Sequence, residues 1–158
     1  MYKIKQNIVY PVHGIGKIIA IEKKKILGTT KNYYIIEFEN TNMRIMVPVD
    51  KADEIGIRPV IKKSEVDKVL KILKSRKATI EEDWKSRYQN NTEKIKTGSI
   101  YEIAKVVKDL YRRNKTKELS IMERKMYESA LNHIILEIAT AKKISFEESE
   151  KIINKLLP

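Results

Sequence analysis

The sequence predicts an α+β fold with two domains, a small antiparallel β-barrel over residues 1–59 and a compact five-helix bundle over residues 60–158. In the first part, short segments rich in β-branched and aromatic residues alternate with turn formers. From Ser64 onward, apolar residues recur at helical spacing behind capping motifs. The stretch Ile-Gly-Ile-Arg-Pro at 55–59 separates the two patterns, because glycine and proline interrupt regular structure.

The first domain is expected to be a strongly bent sheet of the SH3 or Tudor sort, because strands this short must close on one another. In the third segment the side chains alternate between faces, so Ile36 and Phe38 face inward while Glu37 faces water. The stretch Glu-Asn-Thr-Asn at 39–42 predicts a hairpin turn. The predicted strands are 8–10, 16–21, 33–38 and 43–49.

The second domain is expected to contain five helices joined by short connections. A serine or threonine followed three residues later by an acidic residue is the capping-box pattern that opens a helix. Each such pattern precedes an apolar stripe, except that the helix opened by Thr79 is poor in apolar residues. The patterns are Thr79/Glu82, Ser99/Glu102, Ser120/Glu123 and Ser145/Glu148, with Ser64/Asp67 as a weaker version.

Composition excludes several classes of function. The 158 residues include no cysteine and only two histidines, which excludes disulfides and thiolate chemistry and leaves little material for a zinc site. No run of 18 apolar residues occurs, so no transmembrane helix is expected. The 33 basic and 21 acidic side chains give a formal net charge of +12, which favours a polyanionic partner. We expect a cytoplasmic protein that needs no cofactor and binds no membrane.

No catalytic group stands out among the polar residues. His13 lies in a turn and is expected to hold local backbone, and His133 lies among apolar residues of a helix as a partly buried structural residue. Gly14-Ile15-Gly16 lacks the rest of a dinucleotide fingerprint. The carboxylates occupy capping positions or alternate with lysines, so no general acid/base pair can be singled out. We predict that the protein is not an enzyme.

Trp84, the single tryptophan, has two interpretations. Tryptophan is usually well buried, so it could plug a seam or cap the helical core, and composition alone favours this reading. Alternatively, with Lys85 and Arg87 nearby, it could be an exposed wedge that enters between base steps from the minor groove. The acidic run at 81–83 weakens the second reading, although successive helical side chains point about 100° apart.

The segment Arg44-Ile45-Met46-Val47 also has two interpretations. At the edge of a sheet, its backbone N–H and C=O groups could pair with a strand of another protein. Periodicity is equally consistent with an ordinary core strand. The charge run Lys23-Lys24-Lys25 is most simply a solvated arm of a hairpin.

Several motifs together resemble one family over nearly the whole chain. They are Val-Tyr-Pro-Val-His-Gly-Ile-Gly at 9–16, Val47-Pro48, Trp-Lys-Ser-Arg-Tyr at 84–88 and Val-Val-Lys-Asp-Leu at 106–110. At this spacing the combination is highly specific. The chain resembles the CarD/CdnL family of bacterial transcription regulators, in its short form without a motor domain or long tails.

The resemblance implies a monomeric, two-domain transcription regulator. The Tudor-like first domain would dock on the β subunit of RNA polymerase. The helical domain would contact promoter DNA in the minor groove at the upstream edge of the transcription bubble, where the tryptophan acts as a wedge. Such proteins stabilise the open promoter complex and associate with the nucleoid through polymerase.

The family's functional positions carry over residue by residue, with two departures. A basic position on the DNA side is Gln89 here, which lowers the expected number of phosphate contacts. An arginine expected before Val-Pro is Met46 here, for which Arg44, on the same strand face, could compensate. The expected DNA-binding residues are Trp84, Lys85, Arg87, Tyr88, Arg124 and Lys125. The expected polymerase-binding residues are Lys24, Ile26, Arg44, Met46 and Val47.

A second class of function stays open from the residues alone. A Tudor-like module could bind RNA or associate with the ribosome without any polymerase contact. The two hypotheses differ in what the first domain should retain, since one expects the polymerase β subunit and the other expects RNA.

Overall fold

The computed structural model describes residues 1–39, 41–76 and 83–157. The chain divides into two compact units, residues 1–60 and residues 61–158. The class is α+β as predicted, with a five-stranded antiparallel sheet and six α-helices in the described parts of the chain. None of the described helices is long and apolar enough to span a bilayer.

The first unit is built on an open five-stranded antiparallel sheet, so the predicted barrel is not confirmed as a closed one. The strand order is β4-β3-β2-β1-β5, which leaves β4 and β5 as the two edges because these strands do not pair with each other. The central strands β2 and β3 are longer than predicted and pair with each other over most of their length. The strands are β1 (Asn7–Tyr10), β2 (Gly14–Ile26), β3 (Thr29–Phe38), β4 (Met43–Pro48) and β5 (Arg58–Pro59).

The strands 16–21 and 33–38 were predicted too short because the outer half of the β2–β3 ribbon has no apolar alternation, but the reading of residues 23–25 as a solvated hairpin arm is confirmed. The run Lys23-Lys24-Lys25 continues β2 and pairs with residues 30–32 of β3 as a solvent-exposed arm. Leu27 and Gly28 close the hairpin with φ angles of 51° and 80°. Positive φ at both central residues is the signature of a type I′ turn, which glycine adopts without steric cost.

The core of the first unit lies on one face of the sheet, closed by the short helix α1 (Ala52–Ile55). Ile36 and Phe38 point into it and are buried, as the alternation predicted, while Glu37 is partly exposed. Gly16 lies against these side chains, since a Cβ there would be 2.6 Å from Cγ2 of Ile36. The second glycine of the His-Gly-Ile-Gly motif is therefore required by packing.

The second unit contains five helices in its described residues. Ser120 and Ser145 cap α5 and α6 as predicted, each accepting a bond from the backbone N–H three residues later. Ser99 precedes α4 without a side-chain cap bond. The Thr79/Glu82 pattern lies outside the described residues. The helices are α2 (Val66–Lys74), α3 (Trp84–Lys96), α4 (Ile100–Thr116), α5 (Ile121–Lys142) and α6 (Phe146–Leu156).

The predicted apolar stripes form the core of this unit, with α4 and α5 contributing most of it. Helix α3 is the exception, because its fully buried side chains are the polar residues Arg87 and Asn91. Its hydrophobic anchor is Ile95, which packs against both apolar clusters of the unit. Polar interactions must therefore hold much of this helix in place.

Candidate nucleic-acid interface

Helix α3 begins at the tryptophan itself. Asp83 is the N-cap, and its carboxylate accepts a hydrogen bond from the Ser86 amide at 2.7 Å. This bond holds the pKa of Asp83 below its usual range, so the cap stays ionised beside the positive end of the helix dipole. Trp84 follows in the first turn with 46% of its surface exposed. The indole is half in solvent and is not sealed in the core.

A buried ion pair holds this turn against α5. The Arg87 guanidinium donates two hydrogen bonds to the Glu123 carboxylate, from Nε at 2.7 Å and from Nη2 at 2.9 Å. The two residues are only 7% and 1% exposed. Hydrogen bonding from Arg87 lowers the pKa of Glu123 despite its burial, and the Ser120 hydroxyl and the charge of Arg113 act in the same direction.

The pair brings the first turn of α3 to the first turn of α5. Glu123 is the third residue of α5, and Arg87 lies one turn beyond Trp84. The exposed or partly exposed side chains at the two helix starts that this pair joins are grouped here as the α3–α5 surface. It comprises Trp84, Lys85, Tyr88, Ile121, Met122, Arg124 and Lys125.

Five of the six expected DNA-binding residues belong to this surface, and Arg87 does not. Its guanidinium is buried against Glu123, so the structure gives it a role in holding α3 instead of an open position beside the indole. Arg124 is exposed and forms an ion pair with Glu118 at 3.2 Å. Lys85 and Lys125 are exposed, and Tyr88 is partly exposed.

Sequence reasoning missed two apolar members of the surface, Ile121 and Met122. They are 76% and 50% exposed. The sequence carried a signal for Ile121, which lies out of phase with the α5 stripe of Met126, Ala130 and Ile134. Met122 lies four residues before Met126 and so shares the phase of the stripe, and periodicity alone placed it in the core. Exposed apolar side chains on a helix turn that also carries exposed cations are typical of a binding surface.

The polymerase-side residues lie on the first unit in two separate places. Arg44 and Met46 are exposed on the edge strand β4, with Arg44 Nε donating to Glu37 at 2.8 Å. Lys24 and Ile26 lie on the exposed ribbon, where Lys24 pairs with Glu22 at 3.3 Å.

Strand register separates the two places along the same sheet. Arg44 is opposite Glu37 of β3, and Lys24 is opposite Lys31 of β3. Six residues of an extended strand correspond to about 20 Å. Val47 is not on the outer face at all. It pairs with the inward-facing Tyr34 and is 2% exposed, because alternation turns it away from Met46.

The comparisons with known proteins agree across both units. Residues 2–61 match the CarD-like/TRCF RID domain, and residues 68–154 match the C-terminal domain of CarD. YdeB of Bacillus subtilis (strain 168), by its name a candidate transcription factor, is 41% identical over 145 residues, which is 92% of this chain and 95% of that protein. The chain belongs to the CarD family.

Each of the two CarD-family matches covers one compact unit. The unmatched residues between them, 62–67, lie at the start of the second unit. Every motif that carried the resemblance therefore lies within a matched range. The α3–α5 surface belongs entirely to the C-terminal CarD domain, while the edge strand β4 and the exposed ribbon belong to the RID domain.

The two histidines of this CarD-family chain have contacts that account for them structurally. The His13 ring packs against Tyr10 at 5.1 Å between centroids and against Phe38 at 5.9 Å. His133 Nε2 lies 3.0 Å from the buried carboxylate of Glu137, which also accepts a bond from the Ile61 amide at 3.1 Å. In the described ranges, histidines and carboxylates form no cluster that could hold a metal ion.

Proposed function

We propose that the protein is a transcription regulator that docks on the β subunit of RNA polymerase and stabilises the open promoter complex. In this proposal, Trp84 inserts from the minor groove at the upstream edge of the bubble. The observation that carries it is the half-exposed indole on a helix end anchored by the Arg87–Glu123 pair. Membership of the CarD family and the similarity to YdeB support the regulatory role.

The α3–α5 surface has the chemistry that a wedge requires. An apolar side chain entering a base step must offset an unstacking cost of a few kcal/mol. Trp84, Ile121 and Met122 each expose apolar area that can become buried on DNA binding. Lys85 and Lys125 are exposed cations that can contact phosphates and fix the register of the wedge.

The energetics of the wedge favour the melted state. A protein shifts an equilibrium only by its different affinities for the two states. The stacked base pairs of an intact duplex leave no space for the indole, whereas the separated bases at a fork do. The proposal therefore expects weak binding to free duplex with little sequence preference, and stronger binding to a promoter already held open by polymerase.

The first unit supplies the tether in this proposal. We regard its open five-stranded sheet as the form that the Tudor-like domain of the family takes here. Strand β4 is a sheet edge that carries Arg44 and Met46 outward, so a strand of the β subunit could pair with its backbone while these side chains add specificity. Lys24 and Ile26 would form a second contact further along the ribbon.

The function is tested by two measurements on the full chain. Affinity purification from a bacterial lysate should recover RNA polymerase, and with purified polymerase and promoter the protein should lengthen the lifetime of the open complex. Recovery of RNA or ribosomes without polymerase would favour an RNA-binding module instead. An unchanged open-complex lifetime despite polymerase binding would contradict the wedge mechanism but would still support docking on polymerase.

Removing an outward side chain of β4 should weaken the tether specifically. Arg44→Ala and Met46→Ala are each expected to raise the Kd for the polymerase β subunit about 5- to 30-fold, as for other central interface residues. Surface plasmon resonance with immobilised β subunit measures this. Lys51→Ala is the matched control, because Lys51 is also exposed and paired with an acid, Glu54, but lies off the strand.

Lys24→Ala decides whether Arg44 compensates for the arginine that is missing at position 46. If both Arg44→Ala and Lys24→Ala weaken binding, the sheet carries two separate contacts. If Lys24→Ala abolishes binding and Arg44→Ala leaves it unchanged, Arg44 does not compensate and the edge-strand contact is excluded.

A further inference from the structure

A cleft between α3 and α4 lies beside the buried ion pair. Its volume is about 580 Å³, within the range of small-molecule sites. Arg87 lines it on one side, so the cleft and the α3–α5 surface share the helix α3 but lie on different parts of it. Nothing in the proposed function uses this space.

The most informative group in the cleft is the side-chain amide of Asn91. The residue is 4% exposed, and its Nδ2 atom has no hydrogen-bond partner among the described residues. A buried donor without an acceptor has lost its hydrogen bonds to water without gaining a replacement, which destabilises the fold. Such a group is expected where a bound molecule supplies the missing acceptor.

The cations of the cleft are donors as well. Lys94 and Arg113 line it and are partly exposed. The hydroxyls of Thr97 and Thr116 bond to the backbone carbonyls of these two residues, so those bonds occupy none of their side-chain N–H donors. Arg112 donates to the backbone carbonyls of Lys74 and Ser75 through Nη2 and Nε. A guanidinium has five N–H donors, so these bonds leave others for a ligand.

Two acidic side chains also line the cleft. Glu93 is exposed, and Asp109, which has a buried carboxylate oxygen, forms an ion pair with Lys108 at 3.4 Å. The cations Lys94, Arg112 and Arg113 outnumber these two acids, while Arg87 is neutralised by Glu123, so the lining keeps a positive charge. A ligand that suits these cations is anionic and rich in acceptors, which describes a phosphate group.

We propose that the α3–α4 cleft binds a phosphate-bearing group, with the oxygens on Arg113, Arg112 and Lys94 and one acceptor on the buried amide of Asn91. The volume exceeds that of a single phosphate, so a group of nucleotide size fits. The phosphate can come from a free nucleotide or from a nucleic-acid strand, and the chemistry of recognition is the same for both. The proposal does not depend on polymerase docking or on the wedge.

The test uses the full chain, without polymerase, and three probes: inorganic pyrophosphate, GDP and unphosphorylated guanosine. Isothermal titration calorimetry should detect pyrophosphate and GDP but not guanosine. Arg113→Gln and Asn91→Leu should each weaken binding about tenfold or more, since each removes a ligand contact of the charge-assisted or buried kind. Lys151→Gln is the control, as an exposed cation of α6 outside both the cleft and the α3–α5 surface, and should change the Kd less than twofold.

Melting temperature separates a binding role of Asn91 from a structural one. If the Asn91 amide serves ligand binding, Asn91→Leu removes an unsatisfied donor from the free protein. The melting temperature of the free protein should then stay the same or rise, while binding of the probes is lost. If the amide holds the fold, the same variant lowers the melting temperature and the proposal fails for that residue. In that case Arg113→Gln still tests whether the cleft binds phosphate, because it replaces a partly exposed side chain and not the buried amide.

A competition arm identifies the source of the phosphate. If GDP displaces a forked DNA duplex and Arg113→Gln weakens both ligands, the cleft binds the DNA backbone. If GDP binds without displacing DNA, the site serves a free nucleotide. The proposal is overturned if neither pyrophosphate nor GDP binds at millimolar concentration and Arg113→Gln leaves DNA binding unchanged, or if Lys151→Gln weakens the probes as much as Arg113→Gln does.

Discussion

Glu123→Ala is expected to lower the free energy of unfolding of the helical unit by about 3–5 kcal/mol, because it leaves the Arg87 charge buried without its partner. The loss should be large because α3 has few apolar side chains in the core and depends on this pair. Chemical denaturation followed by circular dichroism measures it. Glu118→Ala is the matched control, since it removes an exposed partner of Arg124 and should cost less than about 1 kcal/mol.

A double replacement tests whether the cost comes from the stranded charge. Arg87→Met combined with Glu123→Leu removes both charges and should recover most of the lost stability, because apolar groups of similar volume often replace buried pairs without penalty. If the double variant is as unstable as Glu123→Ala, packing around the pair and not its charge is responsible.

The same pair makes stability depend on pH at the acid end. Arg87 lowers the pKa of Glu123 below its ordinary value of about 4.3. A lowered folded-state pKa gives stability that is fully present above the unfolded value and is lost as the pH falls through the folded value. The difference in unfolding free energy between the wild type and Glu123→Gln should therefore be constant from pH 7 to about pH 5 and shrink below about pH 4. A difference that does not change with pH would contradict this account.

Trp84→Ala is expected to shorten the lifetime of the open promoter complex about tenfold relative to the wild type, while polymerase affinity stays within twofold. Stacking of a base on an aromatic side chain is worth about 1–3 kcal/mol by alanine substitution, which corresponds to this range. The lifetime is measured as the decay of heparin-resistant complexes on a promoter with slow melting. Trp84→Phe is the control, because a smaller aromatic ring keeps the wedge and should retain most of the effect.

Stability must be followed in parallel, since half of the Trp84 surface is buried. A lower melting temperature with an unchanged open-complex lifetime would assign the indole to structure and reject the wedge. A shorter lifetime with unchanged polymerase affinity and a melting temperature near that of the wild type would support it.

Local patterns predicted local structure well in this chain. The stripe of Ile103, Val107 and Leu110 became a buried helix face, and Ser120 and Ser145 became caps. Both features depend on residues three or four positions apart, which a helix always brings together. The inward direction of Ile36 and Phe38 followed in the same way from the two-residue period of a strand.

Features that join distant residues were not predictable in this way. The sequence assigned Glu123 to a cap and Arg87 to DNA, but the two residues lie 36 positions apart and neutralise each other in the interior. The full length of the β2–β3 ribbon was underestimated because its outer half depends on cross-strand pairing and not on apolar alternation. Whether the outer strands β4 and β5 pair with each other is likewise a long-range property, and they do not.

The amino-acid sequence by itself determined the α+β class, the change from strands to helices, the caps and the family to which the chain belongs, because each of these depends on short-range periodicity or on motif spacing. Only the tertiary structure decided which side chains face solvent together. It left Ile121, Met122 and Trp84 exposed, turned Val47 inward and left the Asn91 amide in a cleft. Burial and charge pairing depend on which helices and strands pack against each other, and that information is spread over the whole chain.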